Sequence, residues 1–155
     1  MFVCHGNICR SPMAEFVMRD LARKYGVSDR LHIESSATSR EEIGNSIYPP
    51  AAQQLAAHGI SSRGHRARQF TVDDYNSFDL VVVMEEYNIR NLLRIIGCDC
   101  EAKVWKLLDF KAGVCARTMG DDISDPWYHG NFEKTYNEIL EGCEALMQYL
   151  GFKKI

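Results

Sequence analysis

The feature that most constrains the fold is a run of five apolar residues, Leu80 to Met84, directly after Asp79. The run is too short for a helix, and it lacks the polar alternation of a strand with one face in water. Such a strand is typical of the centre of a parallel sheet that is covered on both faces. Parallel neighbours need crossover connections, usually helices, so the rest of the chain should alternate strands with helices.

The remaining sequence has this alternation. Short apolar segments predict further strands over Met1 to Cys4, Leu31 to Ser35 and Val104 to Leu108. Helical spacing of apolar residues predicts four helices: one from Pro12 to a stop at Gly26, one opened by Pro49 and Pro50 and closed by Gly59, one from Ile89 to Gly97, and one with a stripe from Tyr136 to Leu150 after an N-cap at Asn131. We therefore expect an α/β fold, with a parallel sheet, helices on both faces and right-handed crossovers.

Length and composition exclude several classes of protein. The 155 residues, of which 46% are hydrophobic and 25% charged, suit one domain over residues 1–155. A net charge of −3 argues against a dedicated nucleic-acid binder, and the longest apolar run is far below the ~20 residues of a membrane span. The N-terminus lacks the basic and apolar stretches of a secretory signal, so we expect a cytoplasmic protein with no membrane partner.

The six cysteines of such a protein should mostly be thiols. The chain contains no Cys-x-x-Cys pair, and we therefore expect no bound metal. We interpret Cys98-x-Cys100 as incidental, because one intervening residue is a poor spacing for a disulfide.

The segment from Cys4 to Pro12 joins the first strand to its helix, at the edge of a parallel sheet where ligands bind. The five residues between Cys4 and Arg10 allow the backbone to curl so that its N–H groups surround an oxyanion, and the helix adds its positive end. Gly6 and Asn7 tolerate the left-handed backbone that such a curl needs. Arg10 can bind two phosphate oxygens at once and leave the phosphorus open to Cys4.

The same N–H groups and Arg10 should stabilise the thiolate of Cys4, the form that attacks phosphorus. The alternative is that Cys4 has no catalytic role and is a buried cysteine at the end of a strand. The combination of Gly-Asn inside the segment, Ser-Pro after it, and a strand and helix on either side favours the functional interpretation. The long connection from Asp109 to Gly130 is a second, weaker indication of a functional loop.

The thirteen residues from Val3 to Glu15 resemble the signature of the low-molecular-weight protein tyrosine phosphatases. Weaker matches follow along nearly the whole chain, at Ser36-Ala37-Thr38, Gly59-Ile60, Ala67-Arg68-Gln69, the strand that ends at Met84, and Asp125-Pro126-Trp127-Tyr128. The resemblance implies a three-layer α/β fold of flavodoxin-like type, with four parallel strands.

The resemblance also implies the catalytic roles. Cys4 would be the nucleophile that forms a phosphocysteine, Arg10 the clamp on the transition state, and Asp125 the general acid that protonates the phenolate and then activates water. Ser11 would hydrogen-bond the departing thiolate. The phosphate-binding loop would comprise His5, Gly6, Asn7, Ile8, Cys9, Arg10 and Ser11.

Five positions would support the site, two of them within the phosphate loop. Asn7 and His65 resemble the pair that braces the phosphate loop, although His65 beside two arginines otherwise suggests a solvated basic face. Trp127 and Tyr128 could wall a slot for a phenyl ring, or simply cover core. Cys9 could trap an oxidised Cys4 as a reversible disulfide, or be a packed small hydrophobe.

Four features depart from the pattern of the family. Relatives usually have several more residues before the first strand than this chain, which begins at Met1. Ser36-Ala37-Thr38 lacks the glycine of the family's Ser-Ala-Gly-Thr, and Met84-Glu85 replaces Met-Asp, so we expect a changed loop and a changed charge near the site. Glu41 stands where some relatives have an aromatic rim residue.

Three alternative functions remain open at this stage. An arsenate reductase of the same fold would relay oxidation through two later cysteines, for which Cys98 and Cys100 are the only close pair. A protein arginine phosphatase resembles this chain except for a threonine at the position of Ile8. A phosphate-binding module would need neither Cys4 nor Asp125.

We expect the partner to be a phosphotyrosine-containing protein or a small aryl phosphate, with phosphate as product or inhibitor and no cofactor. The sequence does not distinguish a monomer from a weak dimer.

Overall fold

Four short parallel strands form the centre of the molecule. The computed structural model describes residues 1–113 and 117–155, and its strands are β1 (Phe2–Cys4), β2 (Ser35–Ala37), β3 (Val81–Val83) and β4 (Val104–Lys106). Their order in the sheet is β2-β1-β3-β4, and every pair is parallel. All strand residues are buried, and β3 lies between β1 and β4. The expected parallel sheet, with the Leu80 to Met84 strand in its interior, is therefore confirmed.

Seven α-helices surround the sheet in the described part of the chain, besides one turn of 3-10 helix at Ser28–Arg30. They are α1 (Arg10–Lys24), α2 (Pro49–Ala57), α3 (Val72–Ser77), α4 (Glu86–Ile96), α5 (Asp109–Ala112), α6 (Pro126–His129) and α7 (Phe132–Tyr149). Alternate strand residues face two separate cores. Phe2 and Val82 pack with α1 and α7, whereas Val3, Val81 and Val83 pack on the other face, against the α4 side of the sheet. This arrangement is the expected three-layer α/β fold.

The predicted ends of the helices are largely confirmed. The side chain of Asn131 accepts a hydrogen bond from the Lys134 N–H at 3.0 Å and caps α7. Gly97, with φ 81°, ends α4 in a backbone conformation that other residues rarely adopt. Pro49 is the first residue of α2, where its missing N–H costs nothing.

Several predicted boundaries were wrong. The strand predicted over Leu31 to Ser35 is β2 at Ser35–Ala37, because pairing with β1 begins only after the Phe2 N–H has bonded to the carbonyl oxygen of Glu34. The first helix begins at Arg10 rather than Pro12, which lies in the first turn, where its missing N–H has no acceptor within the helix anyway. The connection from Asp109 to Gly130 contains α5 and α6. No segment of the sequence predicted α3, a short helix that begins with a capping box between Thr71 and Asp74.

The interpretation of Cys98 and Cys100 as incidental thiols was also wrong, because the two form a disulfide with a Cα–Cα distance of 5.3 Å. The turn between α4 and β4 brings them together, since the Asp99 carboxylate accepts hydrogen bonds from the N–H groups of Lys103 and Val104 and folds the chain back on itself. Cys4, Cys9 and Cys143 are free thiols, as expected. Cys115 lies outside the described residues.

Within residues 1–113 and 117–155, no helix is both long and apolar enough to cross a bilayer.

Candidate active site

The loop between β1 and α1 curls at the carboxyl edge of the sheet and brings the ends of the Cys4 to Ser11 segment together. Cys4 ends β1, and its Sγ lies 3.0 Å from Ser11 Oγ and accepts a hydrogen bond from the Asn7 N–H at 3.3 Å. Arg10 and Ser11 are the first two residues of α1, so the helix N-terminus points into the same loop. The sulfur therefore lies within hydrogen-bond distance of one backbone donor and one hydroxyl, close to the N-terminus of α1.

Asn7 holds the curl from inside the protein. Its φ of 59° is left-handed, and its side chain is completely buried. The side-chain amide donates to Ser11 Oγ at 2.8 Å and to Ser35 Oγ at 2.9 Å, and its oxygen accepts from the Arg68 N–H at 3.2 Å. One side chain therefore ties the phosphate loop to α1, to β2 and to the segment after α2.

His65 braces the same loop from behind. Its Nε2 lies 2.7 Å from the carbonyl oxygen of Asn7, and because a carbonyl can only accept, Nε2 carries the proton. The His65 ring is buried, so it does not belong to the solvated basic face that the neighbouring arginines suggest. The structure thus brings together the two bracing residues, Asn7 and His65, that the family resemblance implied.

Sequence reasoning missed two other residues of this network. Ser35 Oγ accepts from Asn7 and donates to Glu15 Oε2 at 2.5 Å, and Glu15 also forms an ion pair with Arg19. Both residues are buried. The sequence held one signal for Glu15, because its helical spacing to Met18 and Ala22 places a glutamate on an apolar side of α1.

The Arg10 side chain is almost completely buried, with 1% of its surface exposed. Its Nη1 donates to the carbonyl oxygen of Ile123 at 2.8 Å, and its Nη2 to Glu85 at 3.2 Å and to Asp125 at 3.3 Å. Burial opposes the charged form, but the nearby Cys4, Asp125 and Glu85 outweigh it and hold the pKa of Arg10 above its ordinary value. The guanidinium is therefore a fixed positive charge beside Cys4.

Asp125 reaches the site from the opposite side, as the N-cap of α6. Its Oδ1 accepts from the Trp127 N–H at 3.0 Å, and its Oδ2 faces Arg10. About a fifth of the side chain is exposed, so a proton can pass between the carboxyl group and a bound molecule or water.

The chain before Asp125 is held by buried polar groups that sequence reasoning also missed. The completely buried Asp109 carboxylate accepts from the N–H groups of Lys106, Thr118 and Gly120, each at 2.7 Å. Closer to the site, the Ile123 N–H donates to the carbonyl oxygen of Met84 at 2.8 Å. These contacts fix the segment that carries both Asp125 and the carbonyl partner of Arg10.

These groups meet in one pocket of about 260 Å³. Trp127 packs at its mouth against Tyr48, with ring centroids 4.7 Å apart, and Tyr128 is almost fully exposed beside it. Both aromatic residues predicted as a ring wall therefore line the mouth rather than cover core. The lining residues are Cys4, His5, Gly6, Ile8, Cys9, Arg10, Glu41, Glu42, Asp125, Trp127 and Tyr128.

Cys9 lies in the same pocket but differs from Cys4 in its surroundings. Burial, together with the nearby Cys4, raises the pKa of the Cys9 thiol well above its ordinary value. Cys9 is therefore a protonated thiol next to the candidate nucleophile. Within the described residues, no group of three or more metal-binding side chains comes together.

Comparison with known proteins places the whole chain in one family. Residues 1–154 match the sequence model of the low molecular weight phosphotyrosine protein phosphatases. The low molecular weight protein-tyrosine-phosphatase YfkJ of Bacillus subtilis is 37% identical over 154 residues, which cover 99% of this chain and 96% of YfkJ. The low molecular weight phosphotyrosine protein phosphatase of Sus scrofa is 39% identical over 152 residues, 96% of this chain and 92% of the relative.

Solved structures agree with the sequence relatives. The crystal structure of YfkJ superimposes with a TM-score of 0.88 and covers 97% of this chain and 92% of YfkJ. The low molecular weight protein tyrosine phosphatase SP-PTP of Streptococcus pyogenes, 36% identical, has a TM-score of 0.82 and covers 96% of this chain and 90% of its own. The chain belongs to the low molecular weight phosphotyrosine protein phosphatases, a family of cysteine-dependent hydrolases.

Proposed function

We propose that this protein hydrolyses aryl phosphate monoesters, including phosphotyrosine in proteins, through a phosphocysteine on Cys4. The observation that carries the proposal is the meeting of Cys4 Sγ, the N-terminus of α1, Arg10 and Asp125 in one pocket. An anion cradle, a nucleophile and a proton donor are the three groups that this reaction needs.

In the first step, the phosphate sits in the loop with its oxygens on the backbone N–H groups and on Arg10. The Cys4 thiolate attacks phosphorus, and an S–P bond forms as the bond from phosphorus to the phenolic oxygen breaks. Asp125 gives its proton to that oxygen, because a phenolate, whose conjugate acid has a pKa of ~10, is a poor leaving group.

In the second step, the Asp125 carboxylate takes a proton from water while the water oxygen attacks phosphorus. The S–P bond breaks, and phosphate and the Cys4 thiolate are released from each other. The thiolate returns to a place where the Asn7 N–H donates to it and the Ser11 hydroxyl lies 3.0 Å away. That hydroxyl donates to the carbonyl oxygen of Ser36 at 3.2 Å, and in this step it would turn its proton from there toward sulfur. Asp125 is protonated again for the next cycle.

Hydrolysis of phenyl phosphate and p-nitrophenyl phosphate tests the two roles separately. Cys4→Ser should abolish turnover of both esters. Asp125→Ala should lower kcat for phenyl phosphate by about 10²–10⁴-fold, and much less for p-nitrophenyl phosphate, whose leaving group needs no proton. Asp73→Ala, which removes an exposed carboxylate of α3, is the matched control and should change neither rate. An equal loss on both esters would remove Asp125 from the role of general acid.

The geometry gives no support to a redox relay through Cys98 and Cys100. The pair precedes β4, at the amino edge of the parallel sheet, whereas Cys4 is the last residue of β1, at the carboxyl edge. Cys98→Ser should therefore leave aryl phosphate hydrolysis within twofold of wild type. Rapid thioredoxin-dependent arsenate reduction that this substitution abolishes would establish the arsenate reductase instead.

Ile8 and the aromatic mouth of the pocket support an aryl ester over phosphoarginine. Faster hydrolysis of a phosphoarginine peptide than of the matching phosphotyrosine peptide would favour the arginine phosphatase. Tight phosphate binding without turnover of any ester would favour a binding module.

A further inference from the structure

Two carboxylates at the mouth of the pocket have no part in the chemistry of phosphate transfer. Glu41 and Glu42 line the same pocket as Cys4 and Arg10. The Glu41 side chain is 68% exposed and lies 3.0 Å from His5 Nε2. Glu42 accepts a hydrogen bond from the uncharged side chain of Asn45 at 2.6 Å. We call Glu41 and Glu42 the acidic rim.

Negative charge exceeds positive charge around the pocket. Among the described lining residues, Arg10 is the one permanent cation, and Glu85 and Asp125 already pair with it. The His5 ring offsets the negative charge of Glu41 only when the ring is protonated. Arg40 is exposed, does not line the pocket, and forms no ion pair with a described carboxylate. The phosphate dianion of a substrate must therefore pass two carboxylates that repel it.

An aromatic ring lies near His5, the residue that contacts Glu41 of the acidic rim. Tyr87, at the start of α4, is 54% exposed, and its ring centroid is 6.2 Å from that of His5. An exposed aromatic face next to carboxylates is a favourable surface for a guanidinium or ammonium group, which gains both a cation–π contact and an ion pair. A simple aryl phosphate has no cationic group that could bind to this surface, whereas a peptide can carry one on an arginine or lysine side chain.

We propose that the acidic rim, with Tyr87, selects phosphotyrosine segments that carry arginine or lysine next to the phosphotyrosine. This inference rests on the proposed phosphatase function and adds its substrate class. A neighbouring cation pairs with Glu41 and Glu42 when the phosphate enters the loop. In a substrate with acidic residues next to phosphotyrosine, the acidic rim repels both the phosphate and the carboxylates of those residues.

The test compares phosphotyrosine peptides that differ only in the residues flanking phosphotyrosine, which are arginine, alanine or glutamate. The measured quantity is the ratio of kcat/KM between two peptides, because a general loss of activity cancels in it. For wild type at low salt, the arginine peptide should exceed the alanine peptide about fivefold, the sum of two partly exposed ion pairs. The ratio should fall toward one at about 1 M salt, where the Debye length is ~3 Å.

The double substitution Glu41→Gln and Glu42→Gln should bring the ratio to about one at low salt. Glu144→Gln is the matched control, because Glu144 is exposed on α7 and has no ion partner among the described residues. This control should keep the wild-type ratio. Tyr87→Leu should reduce the ratio only in part, since the carboxylates remain.

The possible outcomes separate this inference from the function on which it rests. Hydrolysis of all three peptides with no preference for arginine, or a preference that survives in the double variant, overturns the role of the acidic rim and leaves the phosphatase function standing. No hydrolysis of any peptide by wild type overturns the phosphatase function, and this inference with it.

Discussion

Replacement of Asn7 should damage the protein in two separable ways. The side chain forms three hydrogen bonds inside the protein, to Ser11, Ser35 and the Arg68 N–H. Each is worth about 1 kcal/mol net, so their loss should lower the free energy of unfolding by about 3 kcal/mol. Alanine adds a backbone cost of about 1 kcal/mol because φ at this position is left-handed, a region that asparagine and glycine tolerate better.

Urea denaturation measures both contributions. Asn7→Gly should cost about 3 kcal/mol and Asn7→Ala about 4 kcal/mol, a large share of the 5–15 kcal/mol that stabilises a typical domain. Both variants should also lose most phosphatase activity, because the loop that surrounds Cys4 is no longer held. A cost below 1 kcal/mol for Asn7→Ala would refute the assigned network. Equal costs for the two variants would refute the backbone argument alone.

Three further predictions concern packing, pH and reactivity. Gly142→Ala should lower the free energy of unfolding by about 1–2 kcal/mol, because the added Cβ would lie 2.5 Å from Leu107 Cγ; in a Leu107→Ala background the cost should disappear, and a persistent cost would refute the clash. Burial favours the neutral form of Asp74, but hydrogen bonds from Arg68 outweigh it and lower the Asp74 pKa. Asp74→Asn should therefore cost about 1 kcal/mol at pH 7, and this difference should vanish as the pH falls below the lowered pKa, where the wild-type carboxylate is protonated; a difference unchanged in acid would contradict the ion pair. Iodoacetamide should alkylate one thiol rapidly at neutral pH, and both Cys4→Ser and added phosphate should abolish this fast phase. A fast phase that persists in Cys4→Ser would show that the reactive thiol is another cysteine.

Much of the architecture follows from local sequence. The unbroken apolar run at Leu80 to Met84 predicts a strand covered on both faces wherever it lies, because no polar residue in it could face water. Gly97 and Asn131 mark helix ends through their own backbone and side-chain preferences, which need no distant partner. The curl of the segment from Cys4 to Arg10 likewise follows from local residues, since its glycine, its asparagine and the helix start all act within a few positions.

Boundaries that depend on pairing could not be predicted in this way. Leu31 and Ile33 have the pattern of a strand, yet the sheet begins at Ser35, because the register with β1 decides which residues find partners. The Cys98–Cys100 disulfide depends on a turn that the Asp99 carboxylate organises through residues of β4. Such contacts are properties of the assembled chain.

Local sequence is enough to predict a parallel α/β fold and an anion-binding loop with Cys4 at one end and Arg10 at the other, because those features rest on periodicity and short-range backbone preference. The distant groups that complete the site are selected by the fold. It set Asp125 against Arg10 across 115 positions, His65 behind Asn7, and the carboxylates of Glu41 and Glu42 at the mouth. Hydrogen bonds and ion pairs act over a few ångströms, and only the folded sheet brings the ends of its strands and their loops within that distance.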